Sequence, residues 1–219
     1  VQVYEFTSSY RTGDPTICII GSVHGNEPAG TYALQELIKN KWFDRITNSR
    51  VIVILNPNPI GLMTNNRESW EWGWFDINRS YDLYNSTNYT SKTIVRQIQE
   101  CVLKSDLVLE FHEGWGFHKI NPTSLGSTIM PTNHTLAINV GKSMLSNINT
   151  QILDYSKQFT LILNDACGIT SSLGCYCEKK SIPHILLEIT GQNDKQPIEL
   201  RKKQVQLLIR YAMQSLHII

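Results

Sequence analysis

Short apolar runs alternate along this chain with segments of helical spacing, and that alternation constrains the fold more than any other feature. Residues 16–21, 51–55, 107–111 and 185–189 are apolar and rich in β-branched side chains, and they are too short for buried helices, so they read as strands. Residues 1–7 alternate as a further strand would. Residues 27–39, 91–104 and 135–147 place apolar side chains at helical intervals. Residues 199–216 predict a long closing helix with Val205, Leu208, Ala212 and Leu216 on its inner stripe. Strands and helices in that order point to an α/β fold on a largely parallel or mixed sheet. Asn26 is a possible cap for the first helix, with Pro28 near its first turn. Residues 64–90 read as one long loop, and loops of that length within compact domains are usually functional.

Composition narrows the class. A chain of 219 residues with 41% hydrophobic and 18% charged residues fits a single domain spanning 1–219. Its formal net charge of +1 offers no electrostatic pull on nucleic acid or membranes, and no apolar run approaches a bilayer span. The N-terminus carries no address, so the compartment stays open, cytoplasmic being favoured and secretion not ruled out; the oligomeric state is equally open. Cys18, Cys101, Cys167, Cys175 and Cys177 are odd in number and irregular in spacing, which favours reduced, mostly packed thiols. Asn-x-Ser/Thr triplets at Asn78, Asn85, Asn88 and Asn133 are explained as well by an Asn-rich chain as by glycosylation.

The informative polar residues lie at the C-terminal ends of the strands, the edge at which open α/β sheets bind ligands. After the first apolar run comes Gly21-Ser-Val-His24-Gly-Asn-Glu27-Pro. Imidazole and carboxylate three residues apart in a turn suit Zn²⁺, while a His–Glu pair capping a helix start is the alternative. His112 finishes an apolar strand, where it has little packing reason to be, and is the natural third ligand. Glu110, two residues earlier on the same strand face, is placed to accept the other ring N–H of His112. Glu113 is a rival, but a two-residue period turns it away from His112 unless the strand has ended. Arg67, with Asn78 and Arg79 in Asp76-Ile-Asn-Arg, suggests carboxylate recognition by guanidinium forks, although Asp76 and Arg79 pairing within the loop is an alternative. Glu188 lies inside the apolar Leu-Leu-Glu-Ile-Thr, where a carboxylate is costly unless paired or working. Beside an activated water it can serve as general base and then general acid. The aromatic run at residues 70–75 reads as a packed loop core in preference to a lip over the site.

Together His24-Gly-Asn-Glu27, Asn56-Pro-Asn-Pro, Asp76-Ile-Asn78-Arg79, His112 and Leu187-Glu188 resemble the zinc carboxypeptidase superfamily, which includes the succinylglutamate desuccinylase and aspartoacylase group. The resemblance runs from about Ile17 to Ile189. It implies an α/β/α sandwich around a mixed, largely parallel sheet of about eight strands, and one Zn²⁺ held by His24, Glu27 and His112. It gives Glu188 the activation of water, Arg67 the polarisation of the carbonyl, and Asn78 with Arg79 the binding of a free carboxylate. Tyr176 is the candidate for a tyrosine closing over substrate, and residues 170–177, centred on Leu173, for the pocket, which shows no obvious charge there, although Glu178, Lys179 and Lys180 follow. Departures are Glu110 where relatives carry Asp, and no room for the further C-terminal domain of the aspartoacylase branch. The implied activity is carboxypeptidase-like cleavage of an amide beside a free carboxylate, in a small peptide. N-acyl-amino-acid deacylation is the alternative, and an inactive cleft-binding relative is the alternative from another class.

Overall fold

A computed structural model describes residues 1–70, 73–81, 92–163 and 165–219. The triplets at Asn85 and Asn88, and Glu71 and Trp72 of the aromatic run, lie outside the described residues. The sheet strands are β1 (Gln2–Ser8), β2 (Thr16–Ile20), β3 (Ser49–Asn56), β6 (Leu107–Gly114), β7 (Thr128–Pro131), β8 (Thr160–Leu161) and β9 (His184–Thr190). A small hairpin supplies β4 (Ser69–Trp70) and β5 (Trp74–Phe75). The helices are α1 (Ala29–Lys39), α2 (Pro59–Thr64), α3 (Lys92–Val102), α4 (Thr135–Asn149), α5 (Leu173–Lys179) and α6 (Ile198–Ser215).

Seven strands form one mixed sheet in the order β1-β3-β2-β6-β9-β7-β8. The central strands β3, β2, β6 and β9 run parallel, whereas β1 and β7 pair antiparallel with β3 and β9. Every residue of β2 is buried, as a strand covered on both faces requires. Ile17 and Ile19 join one core with α1, α4 and α6, while Cys18 and Ile20 join a second core with α3 and α5. The result is the expected α/β/α sandwich. Among the described residues, no helix is long and apolar enough to cross a membrane.

Three local expectations are corrected. Asn26 does not cap α1: the free N–H of Ala29 is taken by the Glu113 carboxylate of β6 at 2.7 Å, and Asn26 Oδ1 has no partner. Cys167 and Cys175 are joined in a disulfide, which leaves only Cys18, Cys101 and Cys177 as thiols. Trp70 and Trp74 do not form a buried loop core. Their rings pack edge to face at 5.3 Å and each remains 45% exposed, because a two-strand hairpin has no second layer to cover them.

Candidate active site

The site forms where β2, β3, β6 and β9 end on the α3/α5 side of the sheet. The turn after β2 carries His24 and Glu27. Gly25 lets that turn lie against α2, since a Cβ there would overlap the backbone of Gly61. Asn58, from the Asn-Pro-Asn-Pro segment, locks the arrangement. Its Nδ2 donates to the carbonyls of Val23 and Arg67, both at 3.1 Å, while its Oδ1 accepts from Gly61 N and caps α2. Glu110 and His112 project from one face of β6, and register pairs His112 with Glu188 on β9. Because β6 runs on to Gly114 without a break, Glu113 faces away from His112, into the clamp with Ala29 and Arg201.

His24, Glu27 and His112 are buried, and their ligand atoms lie within 4.8 Å of one another. Nδ1 of His24 is 3.0 Å from Nδ1 of His112, and each is 3.0 Å from a different Glu27 oxygen. The far side of each ring meets a carboxylate: His24 Nε2 lies 3.2 Å from Asp76 Oδ1, and His112 Nε2 3.0 Å from Glu110 Oε1. A proton on each Nε2, toward its carboxylate, would leave two Nδ1 lone pairs converging beside the Glu27 anion. Two acceptors at that spacing repel unless a cation stands between them. The separation is near the edge, about 3.3–3.4 Å, of a tetrahedron with metal–nitrogen bonds of about 2.0–2.1 Å. The donor set therefore fits a zinc ion.

The electrostatics agree. Burial pushes the Glu110 carboxyl up, but His112 and His184 outweigh it and hold the group at about 2. Burial likewise opposes ionisation of Glu27 and Asp76, yet the histidines, joined at Asp76 by Arg67, keep both well below the usual carboxylate range. Glu188 is the exception. Burial, reinforced by Glu27 and Glu110 and only partly offset by His112, pushes it up to about 8.

Arg67 bridges Asp76 (3.1 Å) and Glu27 (3.3 Å) with its side chain 40% exposed, so the guanidinium lines the open side of the triad. Asn78 is buried, its Oδ1 accepting from Leu173 N at 3.0 Å, and it is therefore no sugar acceptor. Arg79 is exposed and donates to the Asn78 carbonyl. Leu173 is fully buried in the second core and does not line the neighbouring cavity; Tyr176 is half-buried on α5, 6.3 Å from the Tyr81 ring. The cavity's charged lining comes from outside residues 170–177: Asp165, from the loop before that segment, and Glu110 of β6, while Glu178, Lys179 and Lys180 do not line it. Sequence reasoning also missed Asp76 as the partner of His24, and Gln192, whose Nε2 donates to Glu27 Oε1 at 3.0 Å. A polar residue just past β9 was the only signal for Gln192.

The family model of the succinylglutamate desuccinylase/aspartoacylase catalytic domain matches residues 13–138, more than half of the chain. The chain belongs to this family. The match includes His24, Glu27, Arg67, Asn78, Arg79, Glu110 and His112 and ends before Glu188. No curated protein matches the chain in sequence. Among solved structures, the tripeptide-bound cell shape determinant Csd4 of Helicobacter pylori superposes with a TM-score of 0.82 at 15% identity, covering 100% of this chain and 56% of that one. The same protein bound to mDAP, described as a D,L-carboxypeptidase, gives 0.82 at 16% identity over 99% of this chain and 55% of that one. A succinylglutamate desuccinylase/aspartoacylase from Rhodobacter sphaeroides gives 0.68 at 18% identity over 99% and 58%. These likenesses extend the shared fold over the whole of this chain, and the chain spans little more than half the length of these proteins.

Proposed function

We propose that this family member is a zinc-dependent hydrolase that cleaves an amide bond beside a free carboxylate, as a carboxypeptidase does. The observation that carries the reading is the convergence of two imidazole Nδ1 atoms and the Glu27 carboxylate beside Glu188, a buried carboxyl with no hydrogen-bond partner among the described residues. A zinc ion held by His24, Glu27 and His112 would supply Lewis acidity toward the scissile carbonyl and an attacking water. Glu188 takes the proton from that water as its oxygen bonds to the carbonyl carbon, and delivers it to the departing nitrogen as the C–N bond breaks. Arg67 faces the carbonyl oxygen and balances the charge that develops there. Asn78 and Arg79 bind the substrate carboxylate, and Asp76 and Glu110 fix the ring orientations through Nε2. The likeness to a structure described as a D,L-carboxypeptidase supports a small peptide substrate.

N-acyl-amino-acid deacylation is the second reading, favoured by the family to which residues 13–138 match. Release of a terminal amino acid from short peptides, against release of an acyl acid, separates the two. For the shared chemistry, Glu188→Gln should retain zinc by metal analysis yet lose hydrolysis by about three orders of magnitude or more. Turnover near that of the wild type would refute the role of Glu188.

A further inference from the structure

Beside the triad, an open cavity of about 110 Å³ follows β9 away from Glu188. His184, Leu186 and Glu188 share one face of that strand, each step between them about 6.6 Å, so the cavity continues the line of the site. Asn78 and Glu110 line it, Leu186 and Ile169 give it apolar wall, and the exposed Asp165 lines it as well. His184, 1% exposed, lines it from the start of β9. Its Nε2 lies 2.9 Å from Glu110 Oε2. With that nitrogen turned to the carboxylate, Nδ1 is left buried with no partner among the described residues. Among the described residues no lysine or arginine lines the cavity. An apolar stem between a carboxylate and an unsatisfied acceptor suits a chain of methylenes ending in a hydrogen-bond-donating cation.

We infer that this cavity receives the side chain of the substrate residue that bears the free carboxylate, and that it selects an ammonium-terminated side chain of lysine type through Asp165 and His184. The inference rests on the proposed hydrolysis for the identity of that residue, since Asn78 and Arg79 would hold its carboxylate at the cavity mouth. Asp165 and His184 are then specificity determinants rather than catalytic residues.

The test is calorimetric binding of lysine, norleucine and glutamate, each in both configurations, to the zinc-loaded protein. One configuration of lysine should bind at least about tenfold tighter than norleucine, an isostere without the ammonium, with glutamate weaker still. In Asp165→Asn the lysine-to-norleucine ratio should fall to within about threefold, and in Asp165→Lys glutamate should overtake lysine. Norleucine or glutamate matching lysine in both configurations, a ratio unmoved in Asp165→Asn, or no binding of any of the three would overturn the inference. Selective lysine binding without hydrolysis of any matching N-acetyl dipeptide would reject the proposed reaction and leave the cavity assignment standing.

Discussion

Glu188 shows most plainly how one residue couples chemistry to stability. Its side chain lies beside His112 across the β6–β9 pair and is pushed up to about 8, chiefly by burial, whereas in an unfolded chain a glutamate titrates near about 4.3. The metal-free fold therefore binds this proton more tightly than the unfolded chain does. The stability linked to it is complete below about pH 4 and is lost as pH rises through about 8. Glutamine cannot ionise and escapes that loss. After chelator treatment, Glu188→Gln should gain on the wild type in urea denaturation as pH rises from about 5 to 8.5, by on the order of 3–5 kcal/mol. A difference that stays flat across that range would mean that Glu188 is already ionised in the metal-free fold. His112 and Glu188 are conspicuous in the sequence because a polar group inside an apolar strand has to be explained. Asp76 and Gln192 are not, since their roles arise only when the fold brings a loop 52 positions away onto His24, or the turn after β9 onto Glu27.

Among the elements, β6 organises most of the molecule. One face presents Glu110 and His112 to the site, and the next residue turns Glu113 to the other side, where it anchors the start of α1 and receives Arg201 Nη1 of α6 at 2.7 Å. Arg201 and Glu113 are both nearly inaccessible, and the guanidinium reaches on to Asp194 and the Gly191 carbonyl. Removing one partner of a buried pair strands the other charge, at a cost of about 3–5 kcal/mol. Arg201→Met should therefore lose about that much stability in urea, and Glu113→Gln/Arg201→Met should recover a substantial part of it, because glutamine still accepts from Ala29. Equal losses in the single and double variants would show that the arginine acts through packing alone. At this scale the strong periodic segments were readable. The helices foreseen at 91–104, 135–147 and 199–216 are observed at Lys92–Val102, Thr135–Asn149 and Ile198–Ser215. β7, β8, α2 and α5 were not readable: the shortest has two residues and β7 ends in proline, so none offers enough periods to rise above turn chemistry.

In the whole molecule, the parallel strands β2, β3, β6 and β9 set the site, because each ends at the same sheet edge and contributes at or beyond its C-terminal end. That much follows from the order of apolar runs and the polar residues that close them, which is why the fold class and the grouping of His24, Glu27 and His112 were accessible before any coordinates. The cavity was not, since Asp165 comes from a loop with no periodic signal and His184 from the buried start of β9. The triad draws together the turn after β2 and the middle of the sheet at β6, while Asp76 ties in the segment beyond β5. A cation bound there holds segments that separate on unfolding, so zinc should stabilise the fold by mass action. At zinc about a hundredfold above its dissociation constant the gain is about 2.7 kcal/mol. For a chain of this length that raises the melting temperature by about 5–11 °C. Differential scanning calorimetry of chelator-treated protein, with and without zinc, should show this rise in the wild type and not in His24→Ala/His112→Ala. An equal response in both proteins would place the zinc elsewhere and remove the physical basis for the triad as a metal centre.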